Sequence, residues 1–337
     1  MIEVDGSFGE GGGQILRTLL TFSALTGTPF RLNNIRGNRP KPGLQRSHLS
    51  AVNAVASVCD ASVKGNVLGS RTLEFRPSRI KEPLKLVIDV GTAGSATLIL
   101  QSLIPLMIGR KITVTIKGGT DVPKSPTSDY MSCVFMGIME RVGIKGEIGV
   151  VRRGYYPRGG GEVIASDFRG GGEFSILRMG DVKKVVVMSH VTWLPVEIAK
   201  REAKAASEEL SNFPVEVKIK EEKGTGKGTA TLVYLEGESV IGADSLGAIG
   251  KRAEEVGKEA ASHVLSDYRT GGAVDSFMGD MLMVYASLFG GEYKGSSLTC
   301  HAKTNAQVIK MFGVDLEING VSPFTVKVRR PLVSGIN

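Results

Sequence analysis

The chain is poor in the residues that staple a fold or hold a metal. Its three cysteines, Cys59, Cys133 and Cys300, are widely spaced and odd in number, and no CxxC pair occurs. This excludes a disulfide framework or a cysteine-type metal cluster and fits reduced thiols in a cytoplasmic compartment. No window approaches the 18 unbroken apolar residues that a membrane span requires. The first residues, MIEVDGSFGEGGG, place glycines where an export signal needs its apolar run. Histidine is scarce as well, with four, and tryptophan occurs once.

Glycine is abundant, at 44 of 337 residues. Apolar residues make up 42% and charged ones 23%, which excludes a disordered chain and suggests about two domains with a real core. The formal charge of +8 suits a polyanionic partner, although solvated lysines produce the same excess.

The glycines recur in one context. Residues 9–27 (GEGGGQILRTLLTFSALTG), 91–109 (GTAGSATLILQSLIPLMIG) and 271–290 (GGAVDSFMGDMLMVYASLFG) each read as a glycine-rich loop, then an apolar or amphipathic helix ending at glycine. A β-rich run follows each (Phe30–Ile35, Ile112–Ile116, Ser297–Cys300), then a polar loop and a second helical stretch. The pattern predicts an α/β unit repeated three times. Gly27 and Gly109 are 82 residues apart but Gly109 and Gly290 are 181 apart, so something is inserted in the third repeat. The excess matches a segment with its own pattern: strands at Lys184–Trp193, Val215–Ile219 and Thr229–Leu235, helices at Val196–Leu210 and Ala248–Tyr268. The domains are therefore 1–180 with 269–337, and a smaller α/β insert, 181–268.

His190, in an apolar run, and His263, in a helix of the insert, read as structural. His48 and His301 fall in corresponding places, between the first strand and second helix of repeats one and three. His301, in LTCHAKTNAQV, is expected at the end of a strand, facing a cleft. Cys300 is the rival nucleophile, and strand alternation lets only one of the two face that cleft. The loop Gly9–Gly13 with Gln14 and Arg17 can present backbone N–H groups to a phosphate, yet it matches neither a P-loop nor a dinucleotide fingerprint. Arg36, Arg39, Lys41 and Arg46 crowd eleven residues stiffened by Pro40 and Pro42, an arrangement that calls for an anion. Glu10, Asp275 and Asp280 are the nearby carboxylates, able to hold a divalent cation or orient an imidazole, Asp280 alternatively capping its helix.

The strings GEGGGQILR, IRGNRPKPGLQRSH, GTAGSATLILQ and CHAKTN, in that order, strongly resemble the RNA 3'-terminal phosphate cyclases. The resemblance implies an α+β architecture: a large domain of three βαβαββ repeats with a smaller inserted domain. It implies a ligase that uses ATP, with Mg²⁺ or Mn²⁺, to convert an RNA 3'-terminal phosphate into a 2',3'-cyclic phosphate through a histidine-bound AMP. On this resemblance His301 is the nucleophile; Gln101, Phe277, Met278, Gly279, Asp280 and Met281 bind ATP; Arg17, Arg36 and Arg39 bind phosphate or RNA; and Glu10 holds the metal. A homo-oligomer is left open. Members often have an aromatic hydroxyl and a DQ pair where this chain has Phe277 and Asp280–Met281, and a glutamine where it has Ser47. Two other readings stand beside it, a non-catalytic cyclase-like protein of ribosome assembly and an enolpyruvyl transferase-like enzyme. Because every candidate site residue lies outside 181–268, a soluble protein with a linker in place of the insert is expected to keep ATP-dependent labelling of His301, and the insert's polar face is left open to RNA or a second subunit.

Overall fold

The computed structural model describes residues 1–9 and 11–332. The first glycine-bounded helix, α1 (Gly13–Thr26), buries Ile15, Leu16, Leu19, Leu20 and Phe22, and stops at Gly27, whose φ of 69° favours glycine. It joins β1 (Ile2–Asp5) to a parallel neighbour, β2 (Phe30–Asn33). Helix α2 (Arg46–Cys59) then leads into the antiparallel pair β3 (Ser62–Lys64) and β4 (Leu73–Arg76), giving the sheet order β1-β2-β4-β3.

The same plan returns twice. In the second unit, β5 (Leu84–Asp89), α3 (Ala96–Met107) and β6 (Ile112–Gly118) precede a second helix made of α4 (Ser128–Tyr130), a π-helical turn and α5 (Met136–Arg141). Strands β7 (Ile144–Arg152) and β8 (Gly161–Gly170) complete the order β5-β6-β8-β7. In the third unit β9 (Phe174–Ile176) pairs in parallel with a strand more than a hundred residues later in the sequence. Among the described residues the architecture is mixed α/β, with four four-stranded sheets.

Between β9 and its partner the chain builds a sheet of its own from β10 (Lys184–Thr192), β11 (Val215–Glu221), β12 (Gly228–Glu236) and β13 (Val240–Leu246), in the order β11-β10-β12-β13. Helices α6 (Val196–Glu209) and α7 (Ala253–Arg269) pack beside it, around a separate core containing Val185, Val187, Leu210, Val233, Ile241 and Val264. The third unit resumes with α8 (Ser276–Phe289), β14 (Gly291–Gly295), α9 (Cys300–Met311), β15 (Asp315–Gly320) and β16 (Phe324–Arg330).

One strand expected from sequence is absent. Ser297–Thr299 is a loop, the strand is Gly291–Gly295, and Cys300 already starts α9. Thr299 decides this, because its hydroxyl accepts from the Ala302 N–H at 2.9 Å and caps the helix, which then buries Ala302, Asn305, Ala306 and Ile309 on one face. The short opening strands of the units are not expected from sequence, nor is β13, although the Gly237–Ser239 loop before it is a hairpin signal.

The insert is locked to the second repeat by buried charge. Arg153, the largest fully buried side chain, lies 3.3 Å from Asp121, 2.8 Å from Asp129 and 3.3 Å from Glu222 of the insert. His190 Nδ1 on β10 stands 3.0 Å from the other oxygen of Asp129. Burial opposes charge on Asp129, but His190 and Arg153 outweigh it and hold the carboxyl below its ordinary range. Replacing Arg153 by alanine would strand two buried carboxylates, so Arg153→Ala is expected to lose about 3–5 kcal/mol in urea unfolding. The exposed neighbour Arg152, 3.7 Å from Glu162, is expected to change stability by less than about 1 kcal/mol when replaced by alanine.

Candidate active site at the junction of three repeats

Helices α1, α3 and α8 are the first helices of the three repeats, and α1 and α3 pack on one another while α3 touches α8. Where they meet α9 they frame a cleft open to solvent. Gln14, Arg17, Thr18 and Thr21 line it from α1, Leu98, Gln101 and Ser102 from α3, Phe277, Asp280, Met281, Val284 and Tyr285 from α8, and His301 and Asn305 from α9. Lys124, Ser125 and Pro126 close one side, with the Lys124 backbone at φ 66°, a left-handed conformation unfavourable for a lysine.

His301 is exposed and sits in the first turn of α9, not at a strand end. The alternation argument therefore does not apply. On a helix, consecutive residues diverge by about 100°, and it is His301 that lines the cleft while the exposed Cys300 does not. Helical period also sorts the stretch 277–281. Phe277, Asp280 and Met281 face the cleft, whereas Met278 is in the core and Gly279 packs on the Phe324 ring, where a methyl group would come within 2.9 Å. Gln101 and Arg17 also line the cleft. Glu10 lies outside the described residues.

Asp280 does not cap its own helix; Asp275 does, accepting from Met278 N–H at 2.9 Å. Asp280 accepts instead from the Thr299 hydroxyl at 2.6 Å, so it fixes the residue that caps α9, two positions before His301. Asn305, one turn beyond His301, is buried. Its amide donates to the Asp280 carbonyl at 3.2 Å, and its Oδ1 accepts from Gln14 Nε2 at 3.0 Å and from the Thr18 hydroxyl. Gln14 in turn accepts from Arg17 Nη2 at 2.6 Å. Asn305 was missed by the sequence reading; its i,i+4 spacing from His301 was the available signal.

Beside the cleft lies a second cluster. No side chain among the described residues caps the start of α1, which leaves first-turn N–H groups for an anion. Gly13 sits there under His48 and Arg17. A Cβ on it would meet His48 Nε2 at 2.4 Å and Arg17 Nη1 at 3.0 Å, so only glycine fits. Arg36 is held at φ 53° and donates to the carbonyls of Lys41 and, at 3.2 Å, Gly43. It thus shapes its own loop as well as adding charge, and neither Arg36 nor Arg39 lines the cleft itself. His48, in the first turn of α2, is pushed down to about 3 by burial, with Arg17 and then Arg36 adding their charge.

The insert reaches this region too. Asp275 accepts from Tyr130 at 2.7 Å and from the Gly242 N–H of β13 at 3.0 Å, and burial with nearby Asp267 pushes its carboxyl up to about 7. Asp244, also on β13, accepts from Thr127 N–H at 2.7 Å, next to Pro126 of the cleft. A linker in place of the insert would leave both contacts unmade.

The described residues bring together no three metal-ligating side chains, and Asp280 is the only acidic residue among those lining the cleft. A divalent cation there would draw its ligands largely from a polyphosphate. No helix among the described residues is long and apolar enough to cross a membrane.

The model of the RNA 3'-terminal phosphate cyclase family matches residues 8–318. The RNA 3'-terminal phosphate cyclase of Sulfolobus acidocaldarius is 52% identical over 336 residues, covering 98% of this chain and all of the relative. That of Saccharolobus solfataricus is 50% identical over 335 residues, covering 98% and 99%. The chain belongs to this cyclase family. A solved enolpyruvyl transferase, NikO from Streptomyces tendae, is 9% identical with a TM-score of 0.36, over 97% of this chain and 48% of that one. The two cyclases match over nearly their whole lengths.

The depressed His48 titration has a sign that can be checked. Between pH 6.5, its ordinary value, and about 3, an unfolded chain takes up a proton that the fold refuses, so this group's contribution to stability is lost as pH falls through that window. An anion between Arg17 and Arg36 offsets their charge. Titrating His48 by NMR with and without inorganic phosphate is expected to show the midpoint move upward with phosphate; an unmoved midpoint would mean that no anion shares this neighbourhood.

Proposed function

We propose that this chain is an ATP-dependent RNA 3'-terminal phosphate cyclase of the ligase class, acting in the cytoplasm, with His301 as its nucleophile. The observation that carries the reading is an exposed imidazole in the first turn of α9, lining the same cleft as Gln101, Phe277, Asp280, Met281 and Arg17.

A neutral imidazole nitrogen attacks the α-phosphorus of ATP, the N–P bond forms, and pyrophosphate leaves with the electron pair of the bond that breaks. An oxygen of the RNA 3'-phosphate then attacks the same phosphorus and takes the AMP, freeing the imidazole. Finally the neighbouring 2'-hydroxyl, losing its proton, attacks the 3'-phosphorus and expels AMP, which closes the 2',3'-cyclic phosphate. Phe277, about half exposed at the cleft, offers a flat face to adenine. Arg17 and Lys124 oppose the charge that builds on the phosphates, and the cluster of Arg17, Arg36, Arg39 and His48 suits the RNA terminal phosphate. A divalent cation, Mg²⁺ or Mn²⁺, would neutralise phosphate charge when bound. Asp280 holds the start of α9 through Thr299 and so keeps the imidazole aimed.

Incubation with α-labelled ATP is expected to give an acid-labile protein adenylate that His301→Ala abolishes while its circular dichroism and melting stay as in wild type. Label retained by that variant would transfer the role to Cys300. An unlabelled wild type would favour a non-catalytic or enolpyruvyl-transferring protein. Arg39→Ala is expected to weaken use of the RNA phosphate by about 1–3 kcal/mol in kcat/KM, the range of a lost charge-assisted bond, and to leave adenylation intact.

A further inference from the structure

Two large aromatic side chains outside the cleft are displayed to solvent. Trp193, the only tryptophan in the sequence, is 73% exposed, and Tyr156 is 72% exposed. Trp193 also holds φ 54°, a backbone conformation unfavourable for any side chain, and its indole N–H donates to the Gly224 carbonyl at 2.8 Å. The ring is thereby fixed on the loop between β11 and β12.

These residues lie at the end of a continuous run of contacts that begins at the candidate phosphate cluster. Ser47, beside His48, packs on Gly94, where a Cβ would sit 3.0 Å from its own. The same loop meets Gly159, which a Cβ would place 2.5 Å from the Thr92 carbonyl. Gly159 follows Tyr156 in one tight loop, and its carbonyl accepts from the Thr225 hydroxyl of the insert. Thr225 N–H donates to the Arg153 carbonyl at 3.1 Å, and Arg153 N–H to that of Lys223 at 2.8 Å. Gly224, under Trp193, lies between them.

Most cations elsewhere on the insert are paired, the exposed Lys183 and Lys220 excepted among the described residues. Lys184, Lys200, Arg201, Lys218, Lys251 and Lys258 each stand within 4 Å of a glutamate. Lys223 and Lys227 of the insert, and Arg158 across from Gly226, are exposed and enter no ion pair among the described residues. Two carboxylates precede Lys223: Glu222 faces Arg153, and Glu221 is exposed beside Trp193.

We propose that the single-stranded RNA on the 5' side of the terminal phosphate runs from the cleft across the 155–160 loop onto the insert, with bases stacked on Tyr156 and Trp193 and its backbone along Arg158, Lys223 and Lys227. This rests on the reading that RNA is the substrate. Aromatic faces accept any base, and cations beside them follow a phosphate backbone, so the surface binds strands without choosing sequence.

Trp193 itself reports the test. Its fluorescence is expected to be quenched by a single-stranded RNA of about 20 nucleotides with a 3'-phosphate, and not by a dinucleotide 3'-phosphate. Trp193→Ala and Tyr156→Ala are each expected to weaken binding of the long RNA roughly 5- to 100-fold, with Trp193→Phe restoring most of it. Lys223→Ala is expected to flatten the salt dependence of binding by about 0.7 in log–log slope. Adenylation of His301 by ATP and use of the dinucleotide are expected to stay at wild-type levels in the aromatic variants. Absence of quenching, equal quenching by duplex RNA, or equal losses for long and short substrates would each overturn the proposal. Quenching by long RNA in a protein that forms no adenylate would uphold this surface and overturn the catalytic reading instead.

Discussion

The Asn305 side chain joins two ends of the chain. Its oxygen is shared by Gln14 and Thr18 of the first repeat, 291 and 287 residues away in sequence, while its amide holds the Asp280 carbonyl of α8. A buried primary amide cannot leave these groups unmatched without a cost of about 1–3 kcal/mol for each one stranded. Spreading the repeats apart or rotating their helices is therefore opposed by that amide. The apolar core shared by the repeats packs α1, α8 and α9 together, and this amide sets their register around the cleft. The imidazole of His301 is one turn away on the same helix, so the constraint that closes the ring of repeats also sets where the nucleophile candidate stands.

How much of this was legible in the sequence depended on how local the cause was. The glycine-bounded helices could be read because Gly27 ends α1 in a conformation other residues resist, and the length excess exposed the insert by spacing alone. The strand expected at Ser297–Cys300 failed because four residues are too few to separate period 2 from period 3.6. Thr299, read as a cap, would have corrected it. The same period would have removed Met278 and Gly279 from the cleft and kept Phe277, Asp280 and Met281. The partnership of Gln14 with Asn305, and that of Asp275 with Gly242, arise only when distant segments meet. No local pattern encodes them.

The insert illustrates how a segment without candidate catalytic groups can still belong to a site. Its strand β13 satisfies the cap of α8 from behind and holds Thr127 on the far side of Pro126. Between these contacts and the body of the insert runs the buried set of Arg153, Asp121, Asp129, Glu222 and His190. Apolar residues of similar volume could stabilise such an interface as well or better, whereas charges in fixed pairs tolerate only one alignment. The arrangement exchanges adaptability for register. That suits a support whose task is to keep the first turn of α8 and the 124–127 segment at fixed separation.

Repetition adds another consequence. The first turn of the second helix recurs in each unit, with His48 third in α2, and Asp129 and His301 second in α4 and α9. Burial among arginines keeps the first neutral, contact with Arg153 and His190 keeps the second ionised, and the third meets water. The three helix starts thus hold titratable groups at similar depth in the helix, and solvation gives each a different state. Chemistry in such a scaffold can migrate between units by changing what surrounds that turn, with the backbone left as it is.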